Sequence, residues 1–453
     1  MVKIYKHLTI FLIAVVLFTV PLAAADWLSG TARTVITPEK MVWMAGYASR
    51  TEPARGVLQD IHARALALQD GEGRKYVMLS VDVLGFPAEF SRAVTGRIQE
   101  ELDIPRANII LAATHTHEGP VVGNNLRVAY RMEDEYMEAV REYTGILEDK
   151  LVETAVESFA EMVPSRLSFG RSEAFFAINR RVIKDDGIAN GANRTGPVDH
   201  RVPFLAVDNE NGALQAIVFG YACHNTTGRG QYLYNGDYAG FAETALEEEF
   251  PGITALFIAG TAADINPYPR GSHELARRHG KELAGAVRRA ITGPLKPVGP
   301  GLEAGYRDLT LRLEEPPPEE EFREKLDDEN VFVRRHARMM LDRIEAEGVL
   351  SRDFSYPVQA WNFGDGDLTL VALGGEVVLD YTILLETAFP GSDLWVAAYC
   401  NDVSAYIPSE RILSEGGYEA SGAMLYYGWP ATFEPSVEKM IMESVSGLIN
   451  AEK

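Results

Sequence analysis

The chain has 453 residues, of which 46% are hydrophobic and 24% are charged. This balance is typical of a globular protein with a sizeable core, and it excludes a disordered or fibrous chain. The formal net charge of −22 disfavours nucleic acid and anionic polymers, so no nucleic-acid partner is expected.

The N-terminal segment has the three parts of a secretory signal. Lys3 and Lys6 precede an apolar run from Leu8 to Leu22, and three small residues follow at 23–25. The run is short for a membrane span of about 20 residues, which favours a cleaved signal peptide over residues 1–25 rather than an anchor helix. We therefore expect an exported protein, secreted or periplasmic, with at most transient contact with a membrane surface.

Beyond residue 25, patterns typical of strands and helices alternate along most of the chain. Apolar runs of strand type occupy residues 76–85, 107–117, 214–224, 254–260, 368–373 and 394–400. Helical patterns occupy residues 87–102, 132–162, 238–250 and 273–291. The alternation predicts an α/β layered fold, in which a central mixed sheet is flanked by helices.

A proline-rich segment interrupts this alternation. Residues 314–321 read EEPPPEEE, and three prolines fit neither a helix nor a central strand. We interpret the segment as a hinge into a charged surface helix over about 321–347. Residues 315–350 are then a helical excursion from a single catalytic domain over 26–453, rather than a boundary between two domains.

The two cysteines, Cys223 and Cys400, each follow a predicted strand beside a candidate site residue. Export permits a disulfide between them, and a pair of buried thiols is the alternative. Two cysteines are too few for the usual structural zinc site.

His115 and His117 end an apolar strand and precede the turn-forming residues Gly119 and Pro120. Side chains two apart on a strand point to the same side. Both imidazoles can therefore reach a metal, or one can bind the metal while the other transfers protons. A structural pair of histidines is the alternative interpretation.

Three further candidates follow other predicted strands: His224, Glu376 and Tyr406. Taken singly, each also fits a structural role as a hydrogen-bonded histidine, a helix cap or a packed ring. Zinc favours nitrogen and oxygen ligands in fours and keeps an exchangeable position for catalysis. Two histidines, a glutamate and a further oxygen donor meet that requirement.

The loop at residues 260–269 presents Asp264 and Asn266 at the end of another strand, where a turn ahead of a helix is the alternative interpretation. Asp237 fits the role of a helix N-cap. His62 and His200 are candidates for residues that hold the metal ligands in place without binding the metal themselves.

Taken together, these segments resemble the neutral ceramidase family, in particular the catalytic domain of the neutral/alkaline non-lysosomal ceramidases. The likeness follows the chain in order and spans most of it. It runs through GYA at 46–48, THTHEGP at 114–120, Asn179-Arg180, GPVDHRV at 196–202, His224, NGDYAGF at 235–241, GTAADINP at 260–267, GGE at 374–376 and NDVSAYIP at 401–408.

The resemblance implies a Zn²⁺-dependent amidase that acts on a small-molecule or lipid N-acyl substrate such as ceramide. It implies that His115, His224, Glu376 and Tyr406 hold the metal. It also implies that His117 is the acid/base residue and that Arg180 helps to bind the substrate or the developing charge. Tyr406 counts among the catalytic residues as well, and Asp264 and Asn266 count as substrate contacts.

The chain departs from the family pattern in two respects. The family carries a serine, sometimes assigned as a nucleophile or substrate contact, where this chain has Asn266. An amide cannot form an acyl intermediate as a hydroxyl can, so a serine mechanism is ruled out at this position. A mechanism in which a metal activates a water molecule is still possible. Full-size ceramidases also carry a C-terminal immunoglobulin-like domain, which we expect to be absent because the sequence stops at Lys453.

Two other functions remain open on the sequence alone. One is a metal-dependent hydrolase or eliminase that acts on a carbohydrate or another small polar substrate, which a wide, polar pocket near the metal would favour. The other is a non-catalytic exported binding protein that keeps the fold. The sequence does not determine the oligomeric state.

Overall fold

A computed structural model of the chain describes residues 26–130 and 132–450. The predicted signal peptide, residues 1–25, lies outside the described residues. Among the described helices, none combines the length and the hydropathy that crossing a membrane requires.

Strands and helices alternate less regularly than the sequence predicts, because residues 27–81 and 163–234 form consecutive strands with no helix between them. The strands are β1 Trp27–Val35, β2 Gly56–Val57, β3 His62–Gln69, β4 Lys75–Val81, β5 Ile109–Ala113, β6 Val163–Glu173, β7 Ala177–Lys184, β8 Gly187–Asn193, β9 Arg201–Asn209, β10 Leu214–Tyr221, β11 Leu233–Tyr234, β12 Thr254–Ala259, β13 Ile265–Pro267, β14 Lys296–Val298, β15 Leu302–Arg312, β16 Asp353–Phe363, β17 Leu368–Leu373, β18 Glu376–Val377, β19 Leu394–Ala397 and β20 Tyr406–Ile407. The helices are α1 Ala88–Leu102, α2 Asp134–Glu157, α3 Asp237–Glu249, α4 His273–Ile291, α5 Glu319–Glu324, α6 Val331–Glu347, α7 Asp380–Ala388, α8 Glu410–Glu415, α9 Met424–Tyr427 and α10 Val437–Ile449.

The main sheet is mixed, which confirms the predicted fold class. Its strands lie in the order β12-β10-β9-β6-β1-β3-β4-β5, and β14 pairs with β6. The pairs β4–β5 and β10–β12 are parallel. A second sheet, in the order β15-β16-β17-β19, packs against the first.

Strand side chains alternate between two apolar cores, as the pleat of a strand requires. On β4, Tyr76 and Met78 belong to the core between the two sheets, which also contains Trp361 and Leu370. Val77, between them on β4, belongs to the larger core on the opposite face, where helices pack. One face of the main sheet is therefore covered by helices and the other by the second sheet.

Several strands end earlier than their apolar runs predict. β5 ends at Ala113, β10 at Tyr221 and β19 at Ala397. Just beyond these ends, His115 has φ 61° and Tyr399 has φ 57°. A positive φ turns the backbone out of an extended ladder, although the residues remain buried. The candidate ligands His115 and His224 consequently lie on loops at the strand ends.

The helical excursion also differs from the prediction of one surface helix over 321–347. The chain forms the short helix α5, a 3₁₀ turn at Lys325–Asp327, and α6. Asn330 caps α6 by accepting a hydrogen bond from the backbone N–H of Phe332 at 2.9 Å. One side of α6 is buried, and the His336 ring nitrogen Nε2 lies 2.8 Å from the carbonyl oxygen of Trp429.

Cys223 and Cys400 are free, buried thiols and form no disulfide with each other. Burial raises the pKa of both thiols, which disfavours the reactive thiolate form.

Candidate metal centre

The loops that carry His115 and His224 lie side by side at the ends of β5 and β10. Thr116, next to His115, forms an isolated parallel bridge with Asn225, next to His224. The Nδ2 group of Asn225 also donates a hydrogen bond to the carbonyl oxygen of Thr114 at 3.0 Å. Backbone pairing thus brings together two histidines that are more than a hundred residues apart in the sequence.

Glu376 and Tyr406 are brought together by a second pairing. Glu376 begins β18 and Tyr406 begins β20, and the two short strands pair in parallel with these residues opposite each other. The tight turn before Glu376 needs Gly375, which has φ 74° and leaves no room for a side chain against Ile407 and the carbonyl oxygen of Ala405.

The donor atoms of these residues converge on one point. Glu376 Oε2 lies 3.2 Å from Nε2 of His115 and 3.0 Å from Nε2 of His224. The hydroxyl of Tyr406 lies 3.3 Å from Nε2 of His224. His117 joins the cluster, since its Nε2 lies 3.2 Å from Nε2 of His115. The ligand atoms of His115, His117 and His224 all lie within 4.8 Å of one another.

The tautomers of two histidines follow from their other ring nitrogens. Nδ1 of His115 lies 2.6 Å from the carbonyl oxygen of Leu84, and Nδ1 of His224 lies 2.7 Å from that of Ala262. A carbonyl can only accept a hydrogen bond, so each Nδ1 carries the proton and each Nε2 presents a lone pair. Buried lone pairs that face a carboxylate repel one another unless a cation lies between them. This donor set therefore fits a metal ion.

The charges of the cluster suit the same role. Burial by itself raises the pKa of Glu376, but His115 and His224 outweigh burial and hold that pKa well below its usual range. Burial and the neighbouring Arg180 guanidinium lower the pKa of His224 to about 4. The glutamate is therefore ionised at neutral pH, the form in which a carboxylate binds metals.

His117 lies at the edge of the cluster and is only partly buried. Its Nδ1 has no hydrogen-bond partner among the described residues, and its ring packs on that of Tyr47 with 5.0 Å between centroids. Burial, with His115 and His224 adding to it, lowers the pKa of His117 well below its usual range. The ring is therefore neutral at neutral pH.

Gly46 packs directly against His117 and gives a test of its role. Gly46 has φ 94°, and a methyl group at this position would overlap the imidazole ring. We expect Gly46→Ala to lower kcat by about 100-fold or more, because general acid/base catalysis contributes on that order. Metal content, measured by elemental analysis, should stay near the wild-type value.

Gly73→Ala is the matched control, because Gly73 also has a positive φ (82°) but faces only the end of the Gln69 side chain. It should leave kcat unchanged. Loss of the metal together with activity in Gly46→Ala would show that His117 is a metal ligand rather than the acid/base residue.

Arg180 reaches the cluster from β7 and is held by a residue that the sequence analysis missed. Its Nε donates to Oε1 of Glu419 at 2.7 Å, and Nη2 donates to the Tyr406 hydroxyl at 3.2 Å. Glu419 also pairs with Arg181. All of these side chains are buried. A glutamate inside the apolar, aromatic segment 418–433 was the available signal, since a buried carboxylate requires a cationic partner.

Tyr427 is a second residue whose role the sequence did not reveal, because a tyrosine in an aromatic segment fits core packing equally well. Its hydroxyl donates a hydrogen bond to Oε1 of Glu376 at 2.6 Å, the oxygen that faces away from the two histidines. We expect Tyr427→Phe to weaken metal affinity by about 10- to 100-fold, since partners that orient a metal ligand contribute on that order.

Competition with a chelator measures this loss of affinity. Tyr426→Phe is the matched control, because the Tyr426 ring packs on Phe332 and Tyr418 rather than on a candidate ligand. Unchanged zinc affinity in Tyr427→Phe would mean that the hydrogen bond does not orient Glu376.

Two predicted substrate contacts have other surroundings. Asp264 is fully buried, and its two carboxylate oxygens accept hydrogen bonds from the Leu379 N–H at 2.9 Å and from Asn179 Nδ2 at 3.1 Å. Both oxygens thus accept hydrogen bonds within the protein, and a role for Asp264 as a substrate contact stays a prediction. Asn266 is also buried, and its Oδ1 lies 3.5 Å from the Thr226 hydroxyl.

The other candidate residues lie further from the metal ligands. Asp237 is the first residue of α3 rather than its N-cap, and its Oδ2 accepts a hydrogen bond from the Gly228 N–H at 2.8 Å. The backbone N–H of His62 donates to Asp82, which also accepts from the Thr114 hydroxyl beside His115. The His200 ring instead packs on Phe175, with 5.1 Å between centroids.

The N-terminal part of the chain matches a known family. The model of neutral/alkaline non-lysosomal ceramidase, N-terminal, aligns with residues 27–271, which is more than half of the chain. The chain belongs to this ceramidase family. The matched segment contains His115, His117, Arg180 and His224, whereas Glu376 and Tyr406 lie beyond it.

Curated relatives of this ceramidase-family chain include the neutral ceramidase of Pseudomonas aeruginosa, which is 25% identical over 248 residues. Neutral ceramidase B of Dictyostelium discoideum is 24% identical over 243 residues. These alignments cover 52% and 50% of the chain but only 36% and 33% of the relatives. The match thus spans about a third of the length of these proteins.

Solved structures extend the likeness of the fold to nearly the whole chain. The crystal structure of neutral ceramidase from Pseudomonas aeruginosa matches with a TM-score of 0.70 and 18% identity, and the match covers 94% of this chain and 74% of that one. A structure described as ceramidase complexed with C2 matches with a TM-score of 0.71 at the same identity and covers 75% of that chain. At this identity the structural match establishes the fold.

Proposed function

We propose that this ceramidase-family chain is an exported, zinc-dependent amidase that hydrolyses N-acyl substrates, with ceramide as the first compound to test. The observation that carries the proposal is the convergence of the Nε2 atoms of His115 and His224 on the Glu376 carboxylate, with both Nδ1 atoms anchored on carbonyl oxygens. Family membership supports the amide bond as the target.

His115, His224, Glu376 and Tyr406 would hold the zinc ion in this proposal. When bound, zinc supplies a Lewis acid that lowers the pKa of water towards neutrality and polarises a carbonyl oxygen. Burial raises the pKa of Tyr406 well above its usual value, so its hydroxyl carries its proton until a cation approaches. Arg180, which donates to that hydroxyl, orients it within the cluster.

His117 performs the proton transfers in this reaction. Its neutral ring takes a proton from the attacking water and delivers it to the leaving nitrogen. The water oxygen bonds to the acyl carbon, the C–N bond breaks, and the products are a carboxylate and an amine. Asn266 supplies no hydroxyl for an acyl intermediate, so the amide is hydrolysed directly by water.

Metal analysis and a hydrolysis assay on the purified protein test the proposal. We expect about one zinc per chain and release of the fatty acid from a short-chain ceramide, and His117→Ala should retain zinc while losing turnover. Zinc without cleavage of any N-acyl compound would favour the alternative of a carbohydrate or other polar substrate. A protein with no stoichiometric metal, even after incubation with zinc, would be a binding protein.

Export is a separate part of the proposal and rests on the sequence of residues 1–25. Mass spectrometry of the protein secreted from an expression host should find a mature N-terminus at or near Asp26. A mature protein that retains Met1 would contradict cleavage.

A further inference from the structure

We propose that Arg50 is a positioning residue for the reaction: it holds Tyr47 against His117 and so fixes the orientation of the His117 ring. This inference rests on the proposed amidase function, in which His117 transfers the protons. Arg50 follows Tyr47 closely in the sequence and is only 1% exposed. A charge that is buried so completely requires fixed partners, and its partners lie beside His117.

The orientation of the His117 ring depends on packing. Its Nδ1 is buried without a hydrogen-bond partner among the described residues, whereas Nδ1 of His115 and Nδ1 of His224 each lie on a carbonyl oxygen. Apart from these two proposed ligands, the ring that contacts His117 in the described part of the chain is that of Tyr47, with 5.0 Å between centroids. Tyr47 therefore orients His117 in place of a carbonyl oxygen.

The Tyr47 ring is held in turn by Arg50. The hydroxyl oxygen of Tyr47 is buried and has no hydrogen-bond partner among the residues that the structure describes, so it does not fix the ring. The guanidinium carbon of Arg50 lies 4.9 Å from the centroid of the Tyr47 ring. A cation and an aromatic face attract each other at this distance, and more strongly when they are removed from water. Arg50 thus supplies the attachment that the hydroxyl does not.

Arg50 itself is fixed by two backbone carbonyls. Its Nη1 donates a hydrogen bond to the carbonyl oxygen of Ala45, which directly precedes Gly46, and its Nη2 donates to that of Gln231 at 2.8 Å. The planar fork of a guanidinium can reach both carbonyls while it lies on a ring, which the compact ammonium of a lysine cannot do. The same side chain therefore secures the aromatic ring and the backbone beside it.

Glu118, the residue after His117, is the acidic neighbour of Arg50. Its Oε2 lies 3.3 Å from Nη2 of Arg50, and the Glu118 side chain is fully buried. Burial raises the pKa of Glu118 to about 8, although Arg50 lowers it. At neutral pH the guanidinium is therefore held mainly by the two carbonyl oxygens and the Tyr47 ring, and less by an ion pair.

Arg50→Lys tests the inference, because lysine keeps the charge and loses the fork. For hydrolysis of a short-chain ceramide we expect kcat to fall by about 10- to 100-fold, since a displacement of about 1 Å near the reacting atoms has effects of this size. KM and the metal content should stay near their wild-type values, because His117 acts in the reaction step rather than in binding. An unchanged kcat, or a loss of the metal together with kcat, would overturn the inference.

Two substitutions of Tyr47 test whether its ring carries the effect. Tyr47→Leu should lower kcat as Arg50→Lys does, and the conservative variant Tyr47→Phe should restore it, because the ring rather than the hydroxyl contacts His117. If Tyr47→Phe were as slow as Tyr47→Leu, the hydroxyl would carry the role and positioning by the ring would be wrong.

Arg106→Lys is the matched control. Nη1 of Arg106 also donates to a backbone carbonyl, that of Ile109 at 2.7 Å, and its guanidinium carbon lies 4.3 Å from the centroid of the Tyr306 ring. Arg106 precedes β5 whereas His117 follows it, so the two residues lie at opposite ends of this strand. The control variant should keep kcat. A loss equal to that in Arg50→Lys would be a general effect of replacing a packed arginine and would overturn the inference.

Nuclear magnetic resonance of the substrate-free protein separates this inference from the proposed function. The ring protons of His117, identified by their loss in His117→Ala, carry the ring-current shift of Tyr47. We expect these signals to move in Arg50→Lys and to keep their wild-type positions in Arg106→Lys. Signals that move in a protein that hydrolyses no N-acyl compound would support the positioning of His117, and the amidase proposal alone would fail. Signals that stay in place in Arg50→Lys would overturn the inference, whatever the protein hydrolyses.

Discussion

His224→Ala is expected to abolish stoichiometric zinc binding and amide hydrolysis together. The His224 ring lies against Glu376 and Tyr406, so its removal takes away one proposed ligand and the neighbour of two others. Loss of a directly coordinating residue should weaken zinc affinity by more than the roughly 10- to 100-fold that supporting residues contribute. Elemental analysis after dialysis should fall from about one zinc per chain to near zero.

His279→Ala provides the control for this experiment. His279 is equally buried, its ring stacks on Phe176, and its Nε2 lies 2.8 Å from the carbonyl oxygen of Pro269, away from the cluster. This variant should lose stability but keep its zinc. If His224→Ala retained a full equivalent of zinc, the assignment of this cluster as the metal centre would be wrong.

Glu419→Ala is expected to destabilise the protein by about 3–5 kcal/mol, which is the usual consequence of leaving a buried charge without its partner. Glu419 is 3% exposed, and the two arginines that it pairs with, Arg180 and Arg181, are 5% and 4% exposed. The free energy of unfolding, measured by urea denaturation of the metal-free protein, gives the difference. Zinc affinity should fall as well, because Arg180 positions Tyr406.

Glu415→Ala is the matched control, since Glu415 also pairs with Arg181 but its side chain is 28% exposed. We expect a loss of at most about 1 kcal/mol from this partly solvated pair. A loss in Glu419→Ala no larger than in Glu415→Ala would contradict the structural role of the buried pair.

The effect of Glu419 should also depend on pH. Burial raises its pKa, but Arg180 and Arg181 outweigh burial and lower the pKa below the usual value. A glutamate with a lowered folded-state pKa stabilises the protein above its unfolded-state pKa, and this stabilisation is lost as the pH falls through the folded-state value. The difference between wild type and Glu419→Ala should therefore shrink below about pH 4.

The bounds of the helices and strands show which structural features local sequence patterns predict correctly. The helix predicted over residues 273–291 has the same bounds in the structure, because Ser272 caps its first turn by accepting from the Leu275 N–H and its apolar residues repeat on one face. The strand predicted over 107–117 stops at Ala113. Burial continues past that point while the backbone of His115 has a positive φ, and burial alone does not encode a dihedral angle.

The sequence by itself determined the family, several of the strands and helices, and the residue types that can bind a metal, because periodicity and short motifs are local properties. Only the tertiary structure placed Glu376 against His115 and His224, gave Asp264 its internal partners, and revealed Glu419 and Tyr427 behind the site. The physical reason is that these contacts join residues from distant segments. The pairing of β18 with β20 and the bridge between Thr116 and Asn225 create them, and no local pattern specifies such pairings.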